Sequence, residues 1–304
     1  MSTAINESLL STSELEQLQA RTLDLFPRWR RAAASPYIGP WRSAYRGHGL
    51  ELADLRPYQT GDDIRHMDWR ATARSGKPTT KVFLEERQRN VHIVVDRGPT
   101  MYFGTRRELK ATSAARIAAI CAFAALAGGD EISGTIFETD EQRFARTRSL
   151  DGVLQLLRAV GAPLPVPDGK RQQTLAPRRL LHHLNRALEH LSIVILISDF
   201  LWLEEELVAA LAQLEEHHDV AAFRVIDPAE EALVDVGRIR ITSPLSGATT
   251  VIDTSDVELR SEYARIMAQR ADERRRIMLR AGIRLTDVYT NRDPFTTLAN
   301  AFRQ

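Results

Sequence analysis

The stretch Val91-His-Ile-Val-Val-Asp-Arg-Gly-Pro-Thr-Met101 decides the fold. Four of its first five residues are apolar and β-branched, the run ends in a carboxylate, and Gly98-Pro99 then breaks the chain before a long helical pattern. That combination predicts a buried strand running out into a loop. In open α/β sheets ligands sit beyond the carboxyl ends of parallel strands, so Asp96 is delivered to a place where function as well as packing is built.

Working outward, the pattern alternates. Downstream come an alanine-rich helix over Arg107–Ala127, a strand over Ile132–Phe137, a short edge candidate over Gln142–Arg146 and a helix over Leu150–Val160. A Pro/Gly loop over Gly161–Gly169 leads to a helix over Leu175–Leu191 and to Ile193-Val-Ile-Leu-Ile197, wholly apolar like strands buried on both faces of a parallel sheet. Glu204–His217 reads as helix, Val220–Ile226 as strand, Asp256–Ala281 as a long amphipathic helix and Ile283–Val288 as a last strand. The expected class is α/β with a doubly wound, mostly parallel, Rossmann-type sheet. Arg238 to Ile252 alternates on either side of Ser246-Gly247, which predicts a β-hairpin insertion at about 237–252. Upstream, Ser13 and Glu16 form a capping box ahead of Leu15, Leu18, Thr22, Leu25 and Phe26, predicting a helix over Ser13–Phe26 docked on the body.

The 304 residues are 43% hydrophobic, enough to bury a large core without covalent staples. With 41 basic against 40 acidic residues, total charge gives no support to a polyanion-coating role. The single cysteine, Cys121, lies in an apolar run and reads as a small core residue, which excludes a disulfide framework. The amino terminus lacks a basic region followed by an apolar core, and no apolar run is expected to reach the roughly 18 residues of a membrane span. A reducing cytoplasm is the expected setting.

One region is distinctly basic. Between Arg21 and Gly47, six arginines (Arg21, Arg28, Arg30, Arg31, Arg42, Arg46) face only Asp24, with Trp29, Tyr37, Trp41 and Tyr45 among them. Arginines interleaved with aromatics can grip phosphates and stack on bases, so residues 28–46 carry the alternative reading of an anion-binding or nucleic-acid-binding module. They also pack by their stems over rings or pair with acids from elsewhere, and no nucleic-acid motif accompanies them.

From Leu50 to Arg89 the chain is dense in charge and turn residues. Glu51 through Asn90 holds eight basic and seven acidic side chains, so Arg56, Arg65 and Arg70 have Asp54, Asp62, Asp63 and Asp68 close by in sequence for partly buried, bidentate pairing. Asp62 or Asp63 is expected to cap a short helix, and Thr79–Leu84 alternates as a strand does.

Gly47-x-Gly49-Leu-Glu51, Asp54-Leu-Arg-Pro-Tyr58, Gly61-Asp-Asp63, Arg65, Asp68-Trp-Arg-Ala-Thr-Ala-Arg74, Gly76-Lys-Pro78, Lys81, Phe83 and Glu85-Glu-Arg87 closely resemble the signature of domain of unknown function family 58. Ser198-Asp-Phe200 and Asp253-Thr-Ser-Asp256 are similar to that family as well. The resemblance covers the chain from about Arg42 onward. It implies a bacterial von Willebrand factor A-like domain that is usually encoded beside a MoxR-type AAA+ ATPase. It suggests three segments: an amino-terminal helix with the basic and aromatic stretch at 1–46, the signature at 47–90, and the von Willebrand factor A-like domain at 91–304. The signature residues expected to act in structure or interaction are Arg56, Asp62, Asp63, Arg65, Asp68, Trp69, Arg70, Arg74, Lys81, Glu85, Glu86 and Arg87.

Domains of the fold so implied often carry a metal-ion-dependent adhesion site, in which an Asp-x-Ser-x-Ser loop, a distant Thr and a distant Asp surround Mg²⁺ with oxygens. Asp96, Thr100, Thr174 and Asp199 fall where such ligands belong, but position 98 is Gly where a serine is needed. The site is therefore read as degenerate, either binding Mg²⁺ weakly with extra water or keeping the loop for its shape alone. A haloacid dehalogenase-type phosphatase also ends its first strand in Asp, but Gly98 stands in place of its acid/base. Gly47-x-Gly49 lacks the third glycine and following helix of a dinucleotide site. The histidines show no ligand set. The expected function is that of a non-enzymatic protein-interaction module, a partner or adaptor of a MoxR-type AAA+ ATPase.

Overall fold

The computed structural model describes residues 8–22, 51–59, 64–84, 90–138, 140–164, 177–189, 191–243 and 247–301. They divide between two compact units, one spanning 1–35 and 89–304, the other 36–88.

The larger unit is built on a six-stranded sheet. Its strands are β3 (Asn90–Asp96), β4 (Glu131–Phe137), β5 (Glu141–Thr147), β6 (Ile193–Ser198), β7 (Asp219–Ile226) and β10 (Arg284–Tyr289), in spatial order β10-β7-β6-β3-β4-β5. All neighbours are parallel except β5, which pairs antiparallel with β4 at one edge. This is the doubly wound α/β architecture expected from the alternation of elements, and the antiparallel edge strand suits the von Willebrand factor A-like arrangement that the family resemblance implies.

The reason β3 lies at the centre is its composition. All seven of its residues are buried, and they divide by the two-residue period of a strand: Val91, Ile93 and Val95 enter one apolar cluster, Val94 the other. The first cluster is completed by α1 (Thr12–Thr22), α3 (Lys110–Ala127), α4 (Leu150–Val160) and α8 (Pro294–Ala301). The second is completed by α5 (Pro177–Ala187), α6 (Val208–His217) and α7 (Val257–Arg280).

Helix α3 is sunk into the first cluster, with eight of its alanines buried; their small side chains let it pack against strands and helices alike. By length and composition α3 could cross a membrane, contrary to the sequence expectation, but 78% of it is buried inside this fold. Burial also pushes the Cys121 thiol up, away from reactivity. Helix α4 approaches β4 closely: a Cβ on Gly134 would stand 2.7 Å from Leu156 Cδ1.

Helix α1 begins one capping motif earlier than expected. Ser11 Oγ accepts from the Glu14 N–H at 3.2 Å, so the capping hydroxyl is Ser11 and not Ser13, while the Glu14 carboxylate accepts from Arg116 Nε at 2.6 Å. The predicted extension to Phe26 lies outside the described residues. The hairpin forms as expected from β8 (Arg238–Thr242) and β9 (Thr249–Asp253).

In the smaller unit, β1 (Glu51–Pro57) pairs antiparallel with β2 (Thr79–Leu84). Between them lies α2 (Trp69–Ser75), begun by Asp68, whose carboxylate accepts from the Arg70 and Ala71 N–H groups, both at 2.9 Å. Gly76 ends it at φ 67°, the left-handed conformation that glycine adopts without a Cβ clash. Asp68 caps α2; a separate 3₁₀ turn, Ile64–His66, follows Asp62 and Asp63, the acids expected to cap a short helix, which lie outside the described residues.

The second face of β3 carries one buried polar network. His92 lies 2.7 Å from Ser133 Oγ and 2.9 Å from Thr135 Oγ1, and Ser133 Oγ donates to Asn90 Oδ1 at 2.9 Å. Burial, followed by the charges of His218 and Arg143, lowers the His92 pKa to about 4. The unfolded chain titrates near the ordinary value of 6.5, so it takes up a proton that the folded chain refuses. The stability that neutral His92 contributes is therefore complete above pH 6.5 and is lost as pH drops toward 4, by about 3 kcal/mol at most. His92→Gln should flatten urea-derived stability between these pH values; an unchanged slope would place the acid sensitivity elsewhere.

Candidate functional site at the carboxyl end of the sheet

The chain leaves β3 for β4 on one side, while β6 and β7 lie on the other, so the order reverses between β3 and β6. At such a switch point the strand ends open a crevice. Asp96 closes β3 there and Ser198-Asp199 closes β6. The sequence reading of those two acids as neighbours at one site agrees with this placement.

Asp96 is 1% exposed and both its oxygens are engaged. The Gly98 N–H donates to Oδ1 at 2.7 Å, Ser198 Oγ donates to Oδ2 at 2.5 Å, and Trp202 Nε1 lies 3.2 Å from Oδ2. Burial, reinforced by the Asp199 charge, raises its pKa to about 7 against these bonds. Gly98 has φ −61°, a backbone open to any residue. Thr100 is half-buried in the 3₁₀ turn Pro99–Tyr102, and Thr174 lies outside the described residues.

The β6 loop is bent tightly. Phe200 is fully buried at φ 54°, in the left-handed region that non-glycine residues rarely occupy. Three contacts hold it: its N–H donates to Ser198 Oγ at 2.9 Å, its ring packs near Trp202, and its carbonyl accepts from Arg274 Nε at 3.1 Å.

Asp199 turns to a partner that the sequence did not suggest. Lys110, the first residue of α3, is 0% exposed, and its ammonium stands 2.8 Å from Asp199 Oδ2 and 2.5 Å from Glu230 Oε1. Burial pulls the Lys110 pKa down, but Asp199 and Glu230 outweigh it and hold it above its ordinary value. Glu230 is itself positioned by a capping box: its carboxylate accepts from the Asp227 N–H at 3.1 Å in the turn Pro228–Glu230. Asp227, 0% exposed at the end of β7, accepts from the Thr105 N–H at 2.9 Å, from Thr105 Oγ1 at 2.5 Å and from Thr290 Oγ1 at 2.9 Å. A cavity of ≈ 30 Å³ beside Asp199, Glu230, Arg224 and Arg274 has room for about one water.

These donors do not fit Mg²⁺, which asks for roughly six oxygens at about 2.0–2.1 Å. The carboxylates that would supply them are spent on hydroxyl, indole, amide and ammonium donors, and a dication would be driven against the Lys110 charge. Among the described residues no three His, Cys, Asp or Glu side chains are arranged to hold a metal.

The family model described as "Protein of unknown function DUF58" matches residues 54–273. The chain belongs to the DUF58 family. It is 28% identical over 254 residues to the uncharacterized proteins Rv1480 of Mycobacterium tuberculosis and Mb1516 of Mycobacterium bovis, covering 81% of this chain and 77% of each of theirs. Among solved structures it is similar to the conserved hypothetical protein BatB of Bacteroides thetaiotaomicron (15% identity, TM-score 0.40, 70% of this chain and 96% of that one). It is also similar to a von Willebrand factor type A protein of Catenulispora acidiphila (14% identity, TM-score 0.39, 74% of this chain and 42% of that one).

Of the DUF58 signature residues, Asp68 caps α2 and the others fall into three groups. Arg65, Trp69, Arg70 and Arg74 are exposed, Trp69 by 65%. Exposure of Arg70 corrects the expectation of a partly buried arginine clasp at that residue: α2 turns its side chain outward, and its N–H donates to the Asp68 cap. Arg56 and Lys81 stand on the paired strands β1 and β2. Asp62, Asp63, Glu85, Glu86 and Arg87 lie outside the described residues, as does the basic stretch 28–46.

Three functional candidates escaped sequence reasoning: Lys110, Asp227 and Glu230. Of these, only Asp227-Pro228 with Glu230 three residues on carried a local signal, the Asx-type start of a capped turn after a strand. Because Asp227 fastens the Thr105 loop and Thr290 to the end of β7, Asp227→Ala should destabilise the DUF58 fold by about 2–5 kcal/mol. Chemical denaturation measures this; a loss under about 0.5 kcal/mol would show that water replaces the carboxylate without cost.

Proposed function

We infer that this DUF58 protein is a non-enzymatic protein-interaction module, a partner or adaptor of a MoxR-type AAA+ ATPase working in the cytoplasm. The observation that carries the interaction reading is Trp69. A tryptophan left 65% exposed gains nothing for the fold, yet it sits on a helix whose start is fixed by Asp68 and whose end is fixed by Gly76. Arg65, Arg70 and Arg74 are exposed around it in sequence. Tryptophan and arginine, held rigidly and offered to solvent, are the side chains that dominate protein–protein binding energy. A complementary partner surface would be apolar at its centre and acidic at its rim.

The sheet end supports the absence of catalysis in this reading. Asp96, Asp199, Glu230 and Lys110 are the titratable groups with the shape of an acid–base site, and each is turned inward onto another protein group. The AAA+ identity of the partner rests on the family resemblance.

Affinity capture with a MoxR-type ATPase from the same cell tests both parts. Wild type should retain the ATPase, whereas Trp69→Ala should lose at least about tenfold in affinity, since a hot-spot aromatic contributes roughly 2 kcal/mol or more. Trp69→Ala should keep its melting temperature, because the side chain is exposed. Undiminished capture by Trp69→Ala would remove the signature helix from the interface. Failure of wild type to retain the ATPase would reject the named partner.

A further inference from the structure

Lys110 stands where helix electrostatics disfavour it. It is the first residue of α3, whose first turn has no acidic side chain, and a helix amino terminus carries partial positive charge that repels a cation. An ammonium is also costly to bury, and this one is 0% exposed. Helix formation and packing alone would favour an acidic or small residue there. What the lysine gains is outside its own helix: Asp199 at the end of β6, Glu230 in the turn after β7, and the face of Phe103, whose ring centroid is 6.0 Å from Nζ. An ammonium has three donors. Two are used by carboxylates, and the aromatic ring covers the remaining side.

We propose that Lys110 is a tethered cation occupying the electrostatic role that a divalent metal holds at this end of the sheet, so that the loop surface is assembled without metal. Two buried carboxylates, Asp96 and Asp199, and the part-buried Glu230 meet here, from β3, β6 and the turn after β7, and their charge calls for a cation among them. A single positive charge on a flexible stem does this with a geometry unlike that of Mg²⁺. It takes two acids directly and leaves Asp96 to the Ser198 hydroxyl, the Trp202 indole and the Gly98 amide. Gly98 fits the same account: with no cation to ligate at that position, no hydroxyl is required there. The inference stands apart from the identity of any partner and from the role of Trp69.

Melting of the full chain with chelator, with millimolar Mg²⁺ and with millimolar Mn²⁺ is the experiment. Wild type should melt at one temperature in all three. Lys110→Ala removes the cation and leaves Asp199 and Glu230 facing a vacated space, so it should melt lower in chelator and recover by several degrees in Mn²⁺ as the ion binds the exposed acids. Adding Asp199→Asn to Lys110→Ala should abolish that recovery. A folded Lys110→Ala that gains no metal-dependent shift overturns the proposal. Should Lys110→Ala fail to fold, Mn²⁺ binding to wild type read by electron paramagnetic resonance decides the matter. Stoichiometric uptake below millimolar that is lost in Asp199→Asn overturns the tethered-cation reading, and no uptake supports it.

Discussion

A lysine ammonium held at 0% exposure is the constraint around which the carboxyl end of this sheet is arranged. Taking the charge out of water costs several kcal/mol, and only close, well-directed carboxylates offset it. Asp199 and Glu230 supply them from segments 89 and 120 residues away in the chain. For both acids to reach Nζ, the start of α3, the tight β6 loop and the turn after β7 must all be in place. The left-handed Phe200 and the Asp227 capping box are therefore parts of the same condition. One serves to aim Asp199, the other Glu230.

The same distances explain what could be read from the sequence. Val91–Asp96 was legible because a run of β-branched residues ending at Gly-Pro has few other uses, and Ile193–Ile197 for a similar reason. Helix α4 and the hairpin were equally plain, since their caps and alternation are local. The placing of Asp96 beside the end of β6 followed from the resemblance to von Willebrand factor A-like domains, which sets Asp96 and Asp199 at one site. By contrast, nothing local marks Lys110 near the start of an alanine-rich helix, and its partners could be known only from the folded arrangement. Strand β1 was missed because Glu51-Leu-Ala-Asp-Leu-Arg-Pro57 has no β-branched residue and little alternation; its partner β2 has both. Terminal helix α8 was missed too, as Pro294-Phe-Thr-Thr carries little helical preference of its own.

In the signature segment, sequence density of charge suggested internal neutralisation, and most of the acids for it lie outside the described residues; the described part shows capping and turn bonds. Asp68 serves backbone amides, Thr72 Oγ1 accepts from the Thr79 N–H at 3.0 Å, and Arg74 reaches the Arg70 carbonyl at 3.4 Å. Near-neutral composition is compatible with both arrangements. Backbone capping fixes a short helix firmly without spending the Arg70 head, which stays exposed.

The outer strand β5 has a consequence for how this protein can associate. It runs antiparallel at the edge of an otherwise parallel sheet, and its side chains include Glu141, Arg143 and Arg146, tied respectively to His183, Glu141 and Glu189. A row of charges already committed to neighbours presents a poor template for another chain's backbone, because docking a strand would require desolvating and displacing them. Growth by strand addition, whether into fibrils or onto a partner's extended peptide, is opposed at that margin.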